Sequence, residues 1–138
     1  MKEKLVVVGN GMAGIRTLEE LLKLTPDKYE ITVFGAEPHP NYNRILLSPV
    51  LAGEMTINDI ILNPLGWYAD NGIRLHVGKM VTKIDRTSRK VIAADGTEEE
   101  YDRLLLATGS TPFMLPVPGK YLAGVIGYRD IHDTNVMI

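Results

Sequence analysis

A short apolar run, Leu5–Val8, meets a cluster of glycines, Gly9-Asn10-Gly11-Met12-Ala13-Gly14, and then a pattern of helical period as far as Leu24. Nothing else in these 138 residues restricts the fold as strongly. The run is apolar and β-branched, which marks a strand buried on both faces of a parallel sheet. Met12–Leu24 reads as a helix, with Ile15, Leu18, Leu21 and Leu22 on one face and Glu19, Glu20 and Lys23 on the other. Thr25-Pro26-Asp27 ends it, and Tyr29–Phe34 is the next strand. Leu5–Phe34 is therefore strand–helix–strand, with the ~30 residues that a βαβ crossover takes.

In that setting the full G-x-G-x-x-G has a physical reading. Gly9 permits a tight turn off the strand, Gly11 lets a pyrophosphate come close to the backbone, and Gly14 lets the helix pack on the strand. The helix start offers free N–H groups and the positive end of its dipole. The alternative is a glycine-rich turn with no ligand. A ribose-binding acid is expected ~20 residues on, at the end of the second strand. The first carboxylate there is Glu37, after Gly35 and Ala36. It either accepts hydrogen bonds from ribose hydroxyls or stands in solvent on its loop. The motif alone does not separate NAD from FAD.

The loop "GAEPHPNYNR" follows, then a short helix at Ile45–Leu51, another at Pro64–Asn71 stopped by Gly72, and a third parallel strand at Ile73–Val77. The pattern then changes to an antiparallel meander, with strands at Met80–Ile84, Lys90–Ala94 and Glu99–Leu106 separated by the turns "DRTSR" and "ADGT". Its last strand runs into Leu104–Ala107, apolar enough to rejoin the central sheet. The fold class is α/β: a Rossmann-like parallel sheet with an antiparallel excursion. That layout, closing on "YDRLLLATGS", resembles the one in flavoproteins that handle two dinucleotides. The Ala107-Thr108-Gly109 turn would bring small residues close to FAD where the strand ends.

Composition narrows the rest. There is no cysteine, so no disulfide, thiolate metal site or Fe–S cluster forms within these residues. His39, His76 and His132 are scattered without metal-ligand spacing. A net charge of -2 argues against nucleic acid or an anionic membrane as principal partner. No apolar stretch approaches the ~20 residues of a membrane span, and no signal peptide is visible, so the expected location is the cytoplasm.

The segments "VGNGMAGIRTLEELL", "ITVFGAEPHPNYNRILLSPVLAGE", "YDRLLLATGSTPFMLPVPG" and "YRDIHDT" reach from one end of the sequence to the other. Together they resemble the N-terminal part of the FAD-dependent pyridine-nucleotide reductases, and more narrowly the large subunits of assimilatory NAD(P)H-dependent nitrite reductases. The loop Glu37–Ser48 discriminates most. Ferredoxin and rubredoxin reductases usually carry a Pro-Pro-Leu-Ser-Lys-like run there, where this chain has Ile45-Leu46-Leu47-Ser48-Pro49.

The resemblance implies FAD as cofactor. It places Gly11, Met12, Ala13 and Gly14 on the pyrophosphate and Glu37 on the adenosine ribose. Relatives often put that acid one residue earlier, where Ala36 stands. It sends Arg44 to the cofactor phosphates, sets the backbone of Val81 against the adenine, closes Thr108 and Gly109 over the cofactor, and brings Arg129 to the flavin side. The lysine that relatives carry after Leu-Ser is replaced by Pro49, which leaves Arg44 as the main loop cation. Tyr42 and Trp67 read as packing residues rather than flavin-stacking ones, and no residue reads as a catalytic acid, base or nucleophile.

The resemblance also implies that residues 1–138 are the N-terminal part of an FAD-binding domain, a fragment inactive by itself. A nicotinamide domain, siroheme and a 4Fe-4S cluster would lie in the parent enzyme. The expected partners are FAD, those remaining domains, and other copies of the chain through exposed apolar surface near the meander and "FMLPVPG". Two alternatives stay open: the FAD-binding part of a ferredoxin or rubredoxin reductase or NADH oxidase, and a non-catalytic nucleotide-binding module.

Overall fold

The computed structural model describes residues 1–138. In chain order the elements are β1 (Glu3–Val8), α1 (Met12–Leu24), β2 (Tyr29–Phe34), α2 (Leu47–Leu51), α3 (Leu65–Asp70), β3 (Arg74–His76), β4 (Val81–Asp85), β5 (Lys90–Ala93), β6 (Glu98–Glu100), β7 (Arg103–Leu106) and α4 (Ile131–Met137). Single 3-10 turns lie at Arg44–Leu46 and Asn58–Ile60. The chain forms two units: Met1–Tyr42 with Leu62–Gly109, and Asn43–Ile61 with Ser110–Ile138.

The first unit is built on a four-stranded parallel sheet in the order β3-β2-β1-β7. β1 has a strand on each side, so its apolar run is buried throughout its second half. Side chains alternate across the sheet. Leu5 and Val7 pack with Ile15 and Leu18 of α1, Ile31 and Val33 of β2, and Tyr68 and Ile73. Val6 and Val8 point the other way, onto Phe34 and onto Val91 and Ala93 of β5. The parallel sheet therefore carries α1 on one face and the antiparallel sheet β4-β5-β6 on the other. Each such fully buried aliphatic side chain contributes about 1.5–3 kcal/mol.

α1 and β2 coincide with the sequence expectation, and the Thr25 N–H closes α1 on the Leu21 carbonyl at 2.8 Å. Gly72 stops α3 as expected. At φ 65° it forms a Schellman motif, its N–H on the Ala69 carbonyl at 3.0 Å and the Ile73 N–H on the Tyr68 carbonyl at 2.9 Å.

The expected strand Glu99–Leu106 is corrected. It is two strands: β6 in the antiparallel sheet and β7 in the parallel one. The charged Glu98–Glu100 suits an exposed edge, whereas Leu104–Leu106 suits a place beside β1. The change of sheet is pinned at Tyr101-Asp102. The Tyr101 N–H donates to Arg89 O (2.9 Å), the Asp102 N–H to Lys4 O (2.8 Å), and the Lys4 N–H to Asp102 Oδ2 (2.7 Å). β7 does rejoin the central sheet, but at its edge, with Leu106 57% exposed. The expected helix Ile45–Leu51 is likewise a 3-10 turn followed by α2.

The second unit packs α2 and α4 around Leu47, Val50, Ile60, Ile131 and Thr134. α4 has a capping box, with Asp130 and Asp133 each accepting from the other's backbone. Between Ser110 and Asp130 no helix or strand forms, and the expected exposed apolar stretch is present there, with Phe113 79% exposed and Tyr121 89% exposed. No helix is long and apolar enough to cross a membrane.

Candidate functional site

Strand order reverses at β1: the chain goes first to β2 on one side and later to β7 on the other. In an open α/β sheet the crevice at the carboxyl ends of such neighbours is where ligands bind. Here those ends are Val8-Gly9 and Leu106-Ala107, joined by the Ala107 N–H on Val8 O at 2.8 Å.

The three motif glycines differ in what surrounds them. Gly9 has φ 116°, and a Cβ there would stand 2.0 Å from Ala107 O and 3.1 Å from Thr108 N. At Gly14 a Cβ would meet Ala107 Cβ and Gly9 O, both at 3.1 Å. Before Gly11 there is nothing within 4 Å. So Gly9 and Gly14 close the strand ends onto the helix, and Gly11 leaves open space. Gly11 is also the N-cap of α1. The N–H groups of Met12, Ala13 and Gly14 have no partner inside a helix of this kind, and no acid stands in the first turn to compete for them. These features fit a dinucleotide pyrophosphate.

β2 leads into the loop that carries Glu37. Gly35 is pressed against the turn: a Cβ there would lie 2.9 Å from Asn10 Cβ. The loop is fixed from its far side by the Gly35 N–H on His76 O (2.8 Å), the Lys79 N–H on Gly35 O (2.9 Å) and the Gly78 N–H on Glu37 O (3.0 Å). Glu37 is half-buried and accepts from the Tyr42 hydroxyl at 2.5 Å.

Under this loop runs a chain of polar groups. The Tyr68 hydroxyl donates to Asn10 Oδ1 (2.6 Å) and accepts from the Asn41 N–H (3.1 Å). Asn10 Nδ2 donates to His39 O (3.2 Å). Asn41 Nδ2 donates to Asn63 Oδ1 (2.8 Å), and Asn63 Nδ2 to Glu19 Oε1 (3.0 Å). Burial pushes the Tyr68 phenol above its usual pKa, against the opposing pull of its bonds to Asn41 and Asn10. Asn41 Oδ1 is buried without a hydrogen-bond partner, which costs about 1–3 kcal/mol.

Residues 3–138 match the pyridine nucleotide-disulphide oxidoreductase family. This chain belongs to that family. It is 53% identical to the nitrite reductase [NAD(P)H] of Bacillus subtilis over 99% of its own length and 17% of the relative's. It is 50% identical to the assimilatory nitrate reductase electron transfer subunit of the same organism, over 99% of its length and 18% of that protein's. Among solved structures it resembles the ferredoxin reductase for the CYP199A2 system from Rhodopseudomonas palustris, with a TM-score of 0.89 and 30% identity over 99% of this chain and 33% of that one. The chain thus spans a fifth or less of the curated relatives' lengths.

As a pyridine nucleotide-disulphide oxidoreductase without cysteine, it has no redox disulfide in these residues. Of the residues singled out in the sequence, Gly9, Gly11, Met12, Ala13, Gly14, Ala107 and Thr108 come together at the switch point. Gly109 follows with φ 74°. Val81 opens β4, pairs with Ala93 and packs its side chain into the cluster around Phe34. In the second unit Arg44 donates from Nη1 to the Arg129 carbonyl at 2.8 Å, and the Arg129 N–H donates to Asp133 at 2.8 Å. Tyr42 is buried, and Trp67 stacks edge-on against Tyr68 (5.1 Å, 86°). The sequence alone does not mark Asn10, Gly35, Asn41 or Tyr68 as site residues. Asn10 lies inside the motif and Gly35 directly after a strand, and these positions were the available signals.

Proposed function

We propose that this chain forms the pyrophosphate- and ribose-binding part of an FAD site in an NAD(P)H-dependent oxidoreductase of the nitrite reductase type. The observation that carries the reading is the open space before Gly11, set at the N-terminus of α1 and walled by the tight contacts of Gly9 and Gly14 with Ala107. FAD, when bound, supplies the isoalloxazine that takes hydride from NAD(P)H and gives electrons onward singly.

The chain's own residues bind and orient. The N–H groups of Met12, Ala13 and Gly14 face the pyrophosphate with the helix dipole behind them. Glu37, held by Tyr42, accepts from the adenosine ribose. Ala107, Thr108 and Gly109 admit the cofactor where β7 ends. Val81 offers its backbone to the adenine. The resemblance assigns Arg44 to the phosphates and Arg129 to the flavin side, and the guanidinium fork suits the first task. Siroheme and a 4Fe-4S cluster, with nitrite as electron acceptor, belong on this reading to parts of the longer relatives outside these residues. The likeness to a ferredoxin reductase supports a second reading, in which the same half-site serves transfer to a ferredoxin.

The test is the visible absorption spectrum of the purified chain before and after incubation with FAD and desalting. Retained flavin bands are expected. Uptake of adenine nucleotide without flavin would point to a non-catalytic nucleotide module, and uptake of neither would overturn the proposal.

A further inference from the structure

We propose that Asn10 and Tyr68 form a clasp that holds the glycine turn against the loop bearing Glu37, so that the phosphate-side and ribose-side groups are preset before a dinucleotide arrives. The inference deepens the FAD reading and rests on it for the ligand, but not for the clasp itself.

Three contacts meet on Asn10. Its Oδ1 accepts from Tyr68, its Nδ2 donates to His39 O, and its Cβ fills the space that a side chain on Gly35 would need. The partners on the loop, Gly35, His39 and Asn41, bracket Glu37. Tyr68 serves both sides with one oxygen, giving its proton to Asn10 and accepting from the Asn41 backbone. The phenol comes from α3, whose end is closed by the hydrogen bonds of the Gly72 motif, one of them on the Tyr68 carbonyl itself. Beyond Asn41, the bonds through Asn63 to Glu19 anchor the loop on the exposed side of α1. The arrangement leaves Asn41 Oδ1 buried without a hydrogen-bond partner. Apolar residues of similar volume would avoid that cost. What they could not supply is a directional link between a turn and a loop. Tyr68 and Asn10 are positioning residues, since neither needs to touch the nucleotide.

Two variants test this, Tyr68→Phe and Asn10→Ala, each with two readouts. The first is amide hydrogen exchange on the full chain without ligand. Faster exchange confined to the bonded amides of the turn and loop, Gly9, Gly35, Asn41 and Gly78, with β1, β2 and the body of α1 unchanged, is expected. Unchanged exchange overturns the clasp, and so does loss of protection spread evenly over the sheet, which marks a packing role. The second is FAD titration by flavin fluorescence. Each variant is expected to bind about fivefold more weakly than the unaltered chain, the loss that one hydrogen bond gives. Equal affinity overturns the presetting role while the FAD reading stands. If the unaltered chain takes up no FAD, the FAD reading fails, and the exchange result alone decides the clasp.

Discussion

Gly9 and Gly11 are two residues apart in one motif, yet alanine at each should do opposite things. At Gly9 the backbone has φ 116°, and a Cβ would lie 2.0 Å from Ala107 O and 2.5 Å from Ala107 C. The conformational strain costs about 1–3 kcal/mol, and pushing the end of β7 aside costs about as much again. A loss of about 2–6 kcal/mol would lower the melting temperature by roughly 8–24 °C. At Gly11, φ is -92° and nothing stands within 4 Å. Replacing an N-cap glycine by alanine costs about 0.5–1 kcal/mol, and the less flexible unfolded chain returns about 0.4–1 kcal/mol. Stability should be nearly unchanged. The new methyl nevertheless stands where the pyrophosphate is proposed to lie, and crowding of about 1–3 kcal/mol weakens FAD about fivefold or more. The assay is thermal unfolding by circular dichroism, paired with FAD titration. A Gly9→Ala chain melting within about 2 °C of the unaltered one would refute the steric argument. A Gly11→Ala chain that takes up FAD with full affinity would refute the placement of the ligand.

Glu37→Gln should weaken FAD about fivefold, by roughly one hydrogen bond, and leave flavin mononucleotide, which lacks the adenosine, unaffected in the same titration. Arg44→Ala removes the bond to Arg129 and a cation proposed for the phosphates; FAD affinity should fall about tenfold at low salt and by less at high salt. Leu18→Ala opens a cavity in the face between α1 and the sheet, where Leu18 is 0% exposed, and should cost about 2–5 kcal/mol in a denaturant titration. The hydrogen bond from Asn63 holds the Glu19 pKa below its ordinary 4.5 against partial desolvation, with Arg16 and Lys23 helping. A lowered folded-state value means that the stability is present above pH 4.5 and lost as pH falls through the folded value. Glu19→Gln should therefore melt below the unaltered chain at neutral pH, and the gap should close on acidification; a gap constant with pH would contradict the linkage.

What was legible in the sequence was what local rules write there. α1 and β2 have their ends at a glycine cap, a Thr-Pro break and a phenylalanine before Gly35, and the structure places them as read. Gly72 announced the end of α3 by the same logic. The division of Glu98–Leu106 between two sheets was not legible, because the break depends on the carbonyls of Lys4 and Arg89, distant in sequence. α4 is not legible although Asp130 and Asp133 have capping-box spacing, since the helix after the cap is only seven residues long. The motif carried the glycines and their division of labour, but not that Ala107 is the group Gly9 and Gly14 close upon. Asn10 and Tyr68 are 58 residues apart, and no periodicity couples them.

The sheet order has a consequence for how the chain is made. β1 meets β2 soon after both leave the ribosome, but its other edge waits for β7, and Lys4 and Asp102 at the mouth of that pairing are 98 residues apart. At ~5–20 residues per second that delay is roughly 5–20 s. For all of it, Leu5–Val8 presents an open row of backbone donors and acceptors on an apolar strand, the kind of edge that pairs with whatever arrives first. The newborn chain is therefore open for that interval along a strand that later lies covered between β2 and β7, and a chaperone acting on it has that interval in which to work.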